Sequence, residues 1–186
     1  GYASDIHRSG EHMLTLIDDV LDVAAIEAGK RTFVPEACNL QVMFDEAINN
    51  VKISALKNSI GLVVQLAEGL PVLLADKRSL RQILLNLLSN AIKFTPPQGK
   101  ISLSAHEANH AIHICVSDTG IGIPAGDLVD IAKPFSKLQN DPHLSQEGTG
   151  LGLSIVDSLV VAQGGTLTIE SEVDVGTSVT VRFPAQ

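Results

Sequence analysis

Residues 76–94 read DKRSLRQILLNLLSNAIKF, and this stretch decides how the chain folds. Its apolar residues recur with the period of an α-helix, which places four of them on one face, namely Leu80, Leu84, Leu87 and Ala91. Asn86, Asn90 and Lys93 gather on a second face. Asp76 is a typical N-cap, so the sequence predicts a helix with one apolar and one polar stripe over the rest of this stretch.

The polar stripe of this helix combines two carboxamides with an ammonium group. Amide oxygens suit a hard divalent cation and an ammonium group suits a phosphate, so the stripe carries the groups that would hold a Mg²⁺–polyphosphate. The alternative for Asn86, Asn90 and Lys93 taken alone is an ordinary solvated helix face.

The rest of the chain alternates between strand and helix patterns. Strands are expected at Gly61–Leu66, Pro71–Ala75, 101–105, 112–116, Thr166–Glu170 and Ser178–Phe183. Further helices are expected over Gln41–Asn58 and Leu151–Ala162. Gly120–Gly150 is expected to be a long, largely irregular loop, which is typical of a lid or a binding segment. The predicted fold class is α+β, a two-layer sandwich of a mixed, mostly antiparallel sheet with helices on one face.

Asp118 ends a predicted buried strand and opens the glycine-rich segment DTGIGIP, residues 118–124. A carboxylate at the end of a strand, followed by glycines that allow close approach, would receive a flat heterocycle with an exocyclic amine. The alternative is an aspartate that only stabilises a glycine-rich turn.

A second glycine-rich segment, GTGLGLS at residues 148–154, precedes a predicted helix. Backbone N–H groups at a helix start attract anions, and glycines let phosphate oxygens come close. The segment has neither the lysine of a Walker loop nor the setting of a dinucleotide fingerprint, and the alternative is a flexible hinge.

In their order along the chain, these segments resemble the N, G1, F and G2 boxes of the ATP-binding domain of two-component sensor histidine kinases, with KPFS at residues 133–136 as the F box. Residues 9–30, SGEHMLTLIDDVLDVAAIEAGK, are similar to the second helix of that family's dimerisation and phosphotransfer hairpin. The resemblance implies a Bergerat-type ATP-binding fold preceded by one long amphipathic helix, with ATP and Mg²⁺ as ligands.

The resemblance also implies roles for individual residues. Asn90 would be the principal Mg²⁺ ligand with Asn86 in support, and Asp118 would accept a hydrogen bond from the adenine amino group. The whole implied ATP-binding set is Asn86, Asn90, Lys93, Phe94, Asp118, Gly120, Gly122, Ile123, Lys133, Gly148, Thr149, Gly150, Leu151, Gly152 and Thr177.

One residue of this set bears on the reaction. The related gyrase, mismatch-repair and heat-shock ATPases carry a glutamate that activates water where this chain has Asn86, and an amide is no base near neutral pH. Slow hydrolysis is therefore expected. The resemblance implies transfer of the γ-phosphoryl group of ATP to a histidine, for relay to a response-regulator receiver domain.

Three segments are expected along the chain: a hairpin helix over residues 1–30, a linker over 31–40, and the catalytic ATP-binding domain over 41–186. The apolar stripe of the first segment predicts a bundle with partner helices, and the resemblance implies a homodimer of the intact protein through the helical hairpin. The family's acceptor box is absent, and His7 and His12 are expected to be surface residues. The chain is therefore expected to be a truncation that binds nucleotide without phosphorylating itself.

The charge balance excludes some partners. With 13 basic and 21 acidic residues and a net charge of −8, the chain lacks the basic field that nucleic acids or anionic membranes need. No apolar stretch is long enough to span a bilayer, and Cys38 and Cys115 are expected to be buried, reduced thiols, so a cytoplasmic location is expected. Two alternative functions remain: a nucleotide-binding conformational module without turnover, and a gyrase-like ATPase.

Overall fold

The computed structural model describes residues 28–134 and 150–185, together with positions 10, 13, 14, 17, 20, 21 and 24–26. The strands in these residues are β1 (Pro35–Cys38), β2 (Gly61–Leu66), β3 (Leu73–Asp76), β4 (Lys100–Ala108), β5 (Ala111–Asp118), β6 (Thr166–Glu172) and β7 (Gly176–Pro184). Five of them form one mixed sheet in the order β2-β4-β5-β7-β6. The β2–β4 pair is parallel and the other neighbours are antiparallel. β1 and β3 form a separate antiparallel pair.

The helices in the two continuous ranges are α1 (Leu40–Lys57), α2 (Lys77–Phe94), α3 (Ala125–Leu128) and α4 (Gly152–Ala162). The two long helices, α1 and α2, each begin with a side-chain cap. Asn39 accepts a hydrogen bond from the Val42 N–H at 3.2 Å. Asp76 accepts one from the Ser79 N–H at 2.8 Å. The prediction for α2 is confirmed, including its cap and both ends.

The core lies between the sheet and the layer formed by α1, α2 and α4. The apolar stripe of α2 is buried, and its members are Leu80, Leu84, Leu87 and Ala91. On the sheet, every second residue from 101 to 105 in β4 and from 112 to 116 in β5 is buried against the helices, as strand alternation requires. The α+β sandwich with a mixed, mostly antiparallel sheet is confirmed.

Several details differ from the sequence expectations. The expected linker over 31–40 contains β1, a strand whose four residues do not alternate and include a proline. Cys38 is buried as expected, but Cys115 is only half-buried, because it lies on the face of β5 turned away from the helices. Within the expected irregular loop, the short helix α3 forms; residues 135–149 of that loop lie outside the described residues.

The described N-terminal positions from 10 to 26 are helical, as expected. Their large apolar side chains are exposed, namely Met13, Leu14, Ile17, Val20 and Leu21. Farther along, Ile26 and Phe33 pack against the core, and Arg31 donates hydrogen bonds to Ser79 and Gln82 at 3.2 Å. Among the described residues, no helix has the length and apolarity that crossing a membrane would require.

Candidate functional site

Asp118 is the last residue of β5, at the edge where the sheet meets the end of α2. Strand register pairs it with Thr177 of β7, and both side chains lie on the helix side of the sheet. The Gly120 N–H donates a hydrogen bond to Asp118 Oδ1 at 2.8 Å. The carboxylate is therefore held in place by backbone groups, with further lone pairs left to accept hydrogen bonds.

The surroundings of Asp118 change its acidity. Burial raises the pKa of its carboxyl group above the ordinary value, while hydrogen bonds from the backbone of Gly120 and Thr177 act in the opposite direction. The effect of burial is the larger one, so the pKa of Asp118 is raised. A partly desolvated carboxylate of this kind gains more from a ligand that donates hydrogen bonds than an exposed one does, because water does not compete as well.

Two glycines after Asp118 let backbone segments come close together. A Cβ added to Gly120 would lie 2.5 Å from the Phe94 carbonyl oxygen, and the Ile121 N–H donates to that same oxygen at 3.2 Å. Gly122 has φ +70°, and a Cβ there would lie only 2.0 Å from the Glu172 carbonyl oxygen. The turn after β5 is thus fastened to the end of α2 on one side and to the end of β6 on the other.

The second group of predicted residues meets where α2 faces the start of α4. Asn86 Nδ2 donates a hydrogen bond to the Gly152 carbonyl oxygen at 3.4 Å. A Cβ on Gly152 would lie 3.6 Å from Asn90 Nδ2 and 3.8 Å from Asn90 Oδ1. The carboxamide of Asn90 therefore faces the first turn of α4, where backbone N–H groups are not used within the helix.

α2 connects these two groups of residues. Its last residue, Phe94, contacts the turn at Gly120, and Asn90 faces Gly152 one helical turn earlier. Lys93 and Phe94 are half-buried, and Lys93 Nζ lies 4.7 Å from the centre of the Phe94 ring. Residues of both groups thus contact the C-terminal half of α2, through Asn86, Asn90 and Phe94.

The remaining predicted residues have other positions. Gly150 has φ +72°, and Leu151 is buried beneath the start of α4. Lys133 is exposed and forms an ion pair with Asp130. Gly148, Thr149 and the phenylalanine of the predicted F box lie outside the described residues.

Sequence reasoning missed Ser171, a residue of β6. Its hydroxyl oxygen lies 2.8 Å from Thr177 Oγ1 and accepts a hydrogen bond from the Ile123 N–H, also at 2.8 Å. The same hydroxyl donates to the Gly176 carbonyl oxygen at 2.9 Å. The alternation of β6 carried a signal, because Leu167, Ile169 and Ser171 fall on one face, which makes Ser171 a polar residue on the side of the core.

The donor chemistry suits a hard cation at the α2–α4 junction. Among the described residues, no three histidine, cysteine, aspartate or glutamate side chains are grouped to hold a metal ion. Asn86 and Asn90 offer amide oxygens, and Gly152 leaves room beside Asn90 because it has no side chain. Such a set fits Mg²⁺, which is commonly held by few protein ligands together with phosphate oxygens and water.

The sheet, the helix layer and this site define a two-layer α+β nucleotide-binding domain. Residues 75–186 match the family described as histidine kinase-, DNA gyrase B-, and HSP90-like ATPases. The chain belongs to this family, and it contains the ATP-binding catalytic region found in sensor histidine kinases.

Individual relatives agree with this membership. The chain is 40% identical over 190 residues to the non-motile and phage-resistance protein of Caulobacter vibrioides, and 41% identical over 187 residues to the circadian input-output histidine kinase CikA of Synechococcus elongatus. These alignments cover 100% of this chain but 22% and 25% of those proteins. The chain therefore corresponds to about a quarter of these relatives.

A solved structure is similar over nearly the whole chain. Full-length ShkA in complex with AMPPNP superposes with a TM-score of 0.87 at 29% sequence identity. The match covers 98% of this chain and 38% of ShkA. The similarity to ShkA therefore extends over the fold of nearly the whole chain.

Proposed function

We propose that this chain binds Mg²⁺–ATP and serves as the catalytic part of a sensor histidine kinase, which transfers the γ-phosphoryl group to a histidine that this chain does not supply. The observation that carries the proposal is the junction along α2. There the half-buried carboxylate of Asp118 lies near Phe94 at the end of α2, and the amides of Asn86 and Asn90 lie one to two helical turns earlier, so a nucleoside triphosphate would span the two groups.

The Asp118 end would bind the adenine. An ionised carboxylate accepts hydrogen bonds only, so it matches the exocyclic amino group of the base. Gly120, Gly122 and Ile123 line the same turn with little side-chain bulk at the two glycines, and Phe94 supplies an apolar ring for the flat face of the base. Thr177 lies opposite Asp118 and would complete this end.

The Asn90 end would bind the triphosphate. Asn90, with Asn86 beside it, would hold Mg²⁺, which supplies charge neutralisation to the phosphate oxygens when bound. Backbone N–H groups at the start of α4, together with Gly148, Thr149 and Gly150, would contact phosphate oxygens. Lys93 and Lys133 would add positive charge.

The reaction would depend on positioning. By the family resemblance, Asn86 stands where the related ATPases have a glutamate that activates water, and its amide side chain does not accept a proton near neutral pH. Hydrolysis by the chain would therefore be slow. Phosphoryl transfer needs an acceptor held in line with the terminal phosphate, and the accelerating effect comes from alignment and electrostatic stabilisation.

The wider assembly is also part of the proposal. Residues 1–30 would be the second helix of a dimerisation hairpin, 31–40 the connection and 41–186 the catalytic domain. The exposed apolar positions of the first segment would pack against hairpin helices, in a homodimer of the intact protein. A response-regulator receiver domain would accept the phosphoryl group, and the site would work in the cytoplasm without contacting nucleic acid or membrane.

Calorimetric titration with a non-hydrolysable ATP analogue tests the proposal directly. Binding is expected to be tighter with Mg²⁺ than with a chelator present. A chain that binds no nucleotide under either condition would refute the proposal.

Two activity measurements separate the alternatives. A longer protein that restores the upstream hairpin is expected to incorporate labelled phosphate on a histidine; nucleotide binding without any labelling would indicate a conformational module. Rapid steady-state phosphate release by the chain alone would indicate a gyrase-like ATPase.

A further inference from the structure

Three side chains from three neighbouring strands form a row at the Asp118 end of the site, called the base end below because it would bind the adenine base. Strand register places Asp118 of β5 opposite Thr177 of β7, and Thr177 opposite Ser171 of β6. All three lie on the helix side of the sheet. Directly opposite residues in an antiparallel pair have Cβ atoms about 5 Å apart, so each member of the row can affect its neighbour.

The hydrogen bonds of Ser171 use its hydroxyl group completely. A serine hydroxyl has one proton to donate and two lone pairs that accept. The proton goes to the Gly176 carbonyl oxygen at 2.9 Å, since a carbonyl can only accept. One lone pair takes the Ile123 N–H at 2.8 Å. Ser171 therefore has only an accepting lone pair left for Thr177 Oγ1, which lies 2.8 Å away.

This arrangement fixes the direction of the Thr177 hydroxyl. Because Ser171 can only accept, Thr177 must donate its single proton to Ser171. The lone pairs of Thr177 Oγ1 are then the only groups that its hydroxyl can offer to a ligand. Next to it, Asp118 offers carboxylate lone pairs. The row thus presents acceptors from two neighbouring residues and no side-chain donor.

We propose that Ser171 is a specificity-determining positioning residue: by fixing the Thr177 hydroxyl as an acceptor, it selects purine nucleotides with an amino group on the six-membered ring over those with a carbonyl group there. This inference rests on the proposed ATP site. An amino group supplies the N–H donors that the row lacks, whereas a carbonyl oxygen would face acceptors only. A site built around unpaired acceptors rejects such a ligand because the buried groups lose their partners.

ATP and inosine triphosphate are the natural probe pair, because inosine has a carbonyl in place of the amino group and a proton on the adjacent ring nitrogen, and the two bases are otherwise the same. The measured quantity is the ratio of their dissociation constants, obtained by titration calorimetry with the full chain and Mg²⁺. Ser171→Ala frees the Thr177 hydroxyl to rotate and donate to a carbonyl, so the preference for ATP is expected to fall by about tenfold. Ser171→Thr keeps the hydroxyl and is expected to retain the preference.

A double-mutant cycle distinguishes this role from a structural one. Ser171→Ala also removes the partner of the Ile123 N–H, which can loosen the turn whatever Thr177 does. In a Thr177→Val background no hydroxyl remains to be directed, so adding Ser171→Ala is expected to leave the preference unchanged. An equal loss of preference in both backgrounds would overturn the inference.

The matched control lies on the opposite face of the same sheet. Ser178 follows Thr177 in β7, and its hydroxyl donates to Ser117 Oγ at 2.8 Å. Ser178→Ala removes one hydroxyl hydrogen bond at the same height, and the preference is expected to stay as in the wild type. If wild-type protein binds ATP but Ser171→Ala keeps the full preference, the inference fails while the proposed function stands. If the wild type binds neither nucleotide, both fail.

Discussion

The two ends of the site are built in different ways. The base end combines β5, β6, β7 and the last residue of α2, with backbone atoms so close that Gly122 has no room for a side chain. The phosphate end consists of one face of α2 opposite the start of α4, and Gly152 there has space for a methyl group at ordinary contact distance. The pairing register of distant strands therefore determines the geometry of the base end, and helical periodicity determines that of the phosphate end.

This difference has a consequence for function. Close backbone packing holds the acceptors of the base end in place before a ligand arrives, which reduces the ordering cost of binding. The phosphate end offers side-chain amides and helix N–H groups across a less crowded junction. Specificity for the base is thus expected to depend on rigidity, and the affinity for the triphosphate on charge and metal.

The largest effect is expected when a side chain is added where backbone atoms at the base end lie close together. Gly122→Ala would place a methyl group 2.0 Å from the Glu172 carbonyl oxygen, at φ +70°. The turn after β5 would have to move away from β6, and the free energy of unfolding is expected to fall by about 3 kcal/mol. Urea denaturation monitored by circular dichroism measures this change.

Gly69 is the matched control for this substitution. It has the same φ of +70°, but a Cβ there would meet nothing within 4 Å. Gly69→Ala therefore isolates the cost of the left-handed backbone, about 1 kcal/mol. Equal destabilisation by the two substitutions would show that the close approach of Gly122 to β6 contributes nothing.

The second prediction separates binding from stability at the base end. Asp118→Asn replaces one acceptor oxygen by an amide donor, so affinity for ATP is expected to fall by about thirtyfold. Thermal stability at neutral pH is expected to stay the same or rise. Burial raises the pKa of Asp118 in the folded state, so the ionised form disfavours folding above that pKa. Calorimetric titration and thermal unfolding of the same sample measure both quantities.

The pH profile is a check on this assignment. The carboxyl must be ionised to act as a pure acceptor, and its pKa is raised by burial. The affinity of the wild type for ATP is therefore expected to decrease as the pH falls through this raised pKa, at a higher pH than for an ordinary aspartate. Asp118→Asn is expected to lack this decrease. A variant that keeps the acid limb of the profile would assign it to another group.

The two ends were also unequally predictable from the sequence. The first and last residues of α2 could be predicted, because its apolar period, its cap and its polar stripe are all local patterns. The alternation of β6 marks Ser171 as a polar residue on the core side, but its contact with Thr177 depends on how β6 and β7 pair. No local pattern records that pairing. β1 was missed for a similar reason, since its four residues form a strand through pairing with β3.

Cys115 shows how a local pattern can be misread. The sequence interpretation placed it in an apolar run and expected a buried thiol. Ile114 and Val116 on either side of it are buried, so strict alternation puts Cys115 on the outer face. The two-residue period of the strand therefore predicted the position of Cys115 correctly. The interpretation was wrong because it relied on the apolar character of cysteine.

The third prediction concerns the metal at the phosphate end. Asn90→Ala removes the carboxamide that faces the start of α4, so affinity for Mg²⁺–ATP is expected to fall by about tenfold. Affinity measured with a chelator present is expected to change much less. Ser89→Ala is the control, because Ser89 is the exposed neighbour in the same helix and its hydroxyl donates only to the Asn86 carbonyl oxygen at 3.0 Å. Equal losses with and without Mg²⁺ would argue against a metal ligand.

The smallest effect is expected at Gly152, the glycine of the phosphate end that is compared with Gly122 of the base end. Its backbone is helical, so Gly152→Ala adds a methyl group without left-handed strain, and the added Cβ would meet Asn90 at an ordinary 3.6 Å. Alanine limits the unfolded chain more than glycine does, so the free energy of unfolding is expected to rise by about 0.5 kcal/mol. Urea denaturation measures this change, while calorimetry is expected to show a loss of Mg²⁺–ATP affinity of only about threefold, since the methyl group narrows the space beside the carboxamide. A destabilisation as large as that of Gly122→Ala would mean that the junction of α2 and α4 is as tightly determined as the base end, and the contrast between the two ends would disappear.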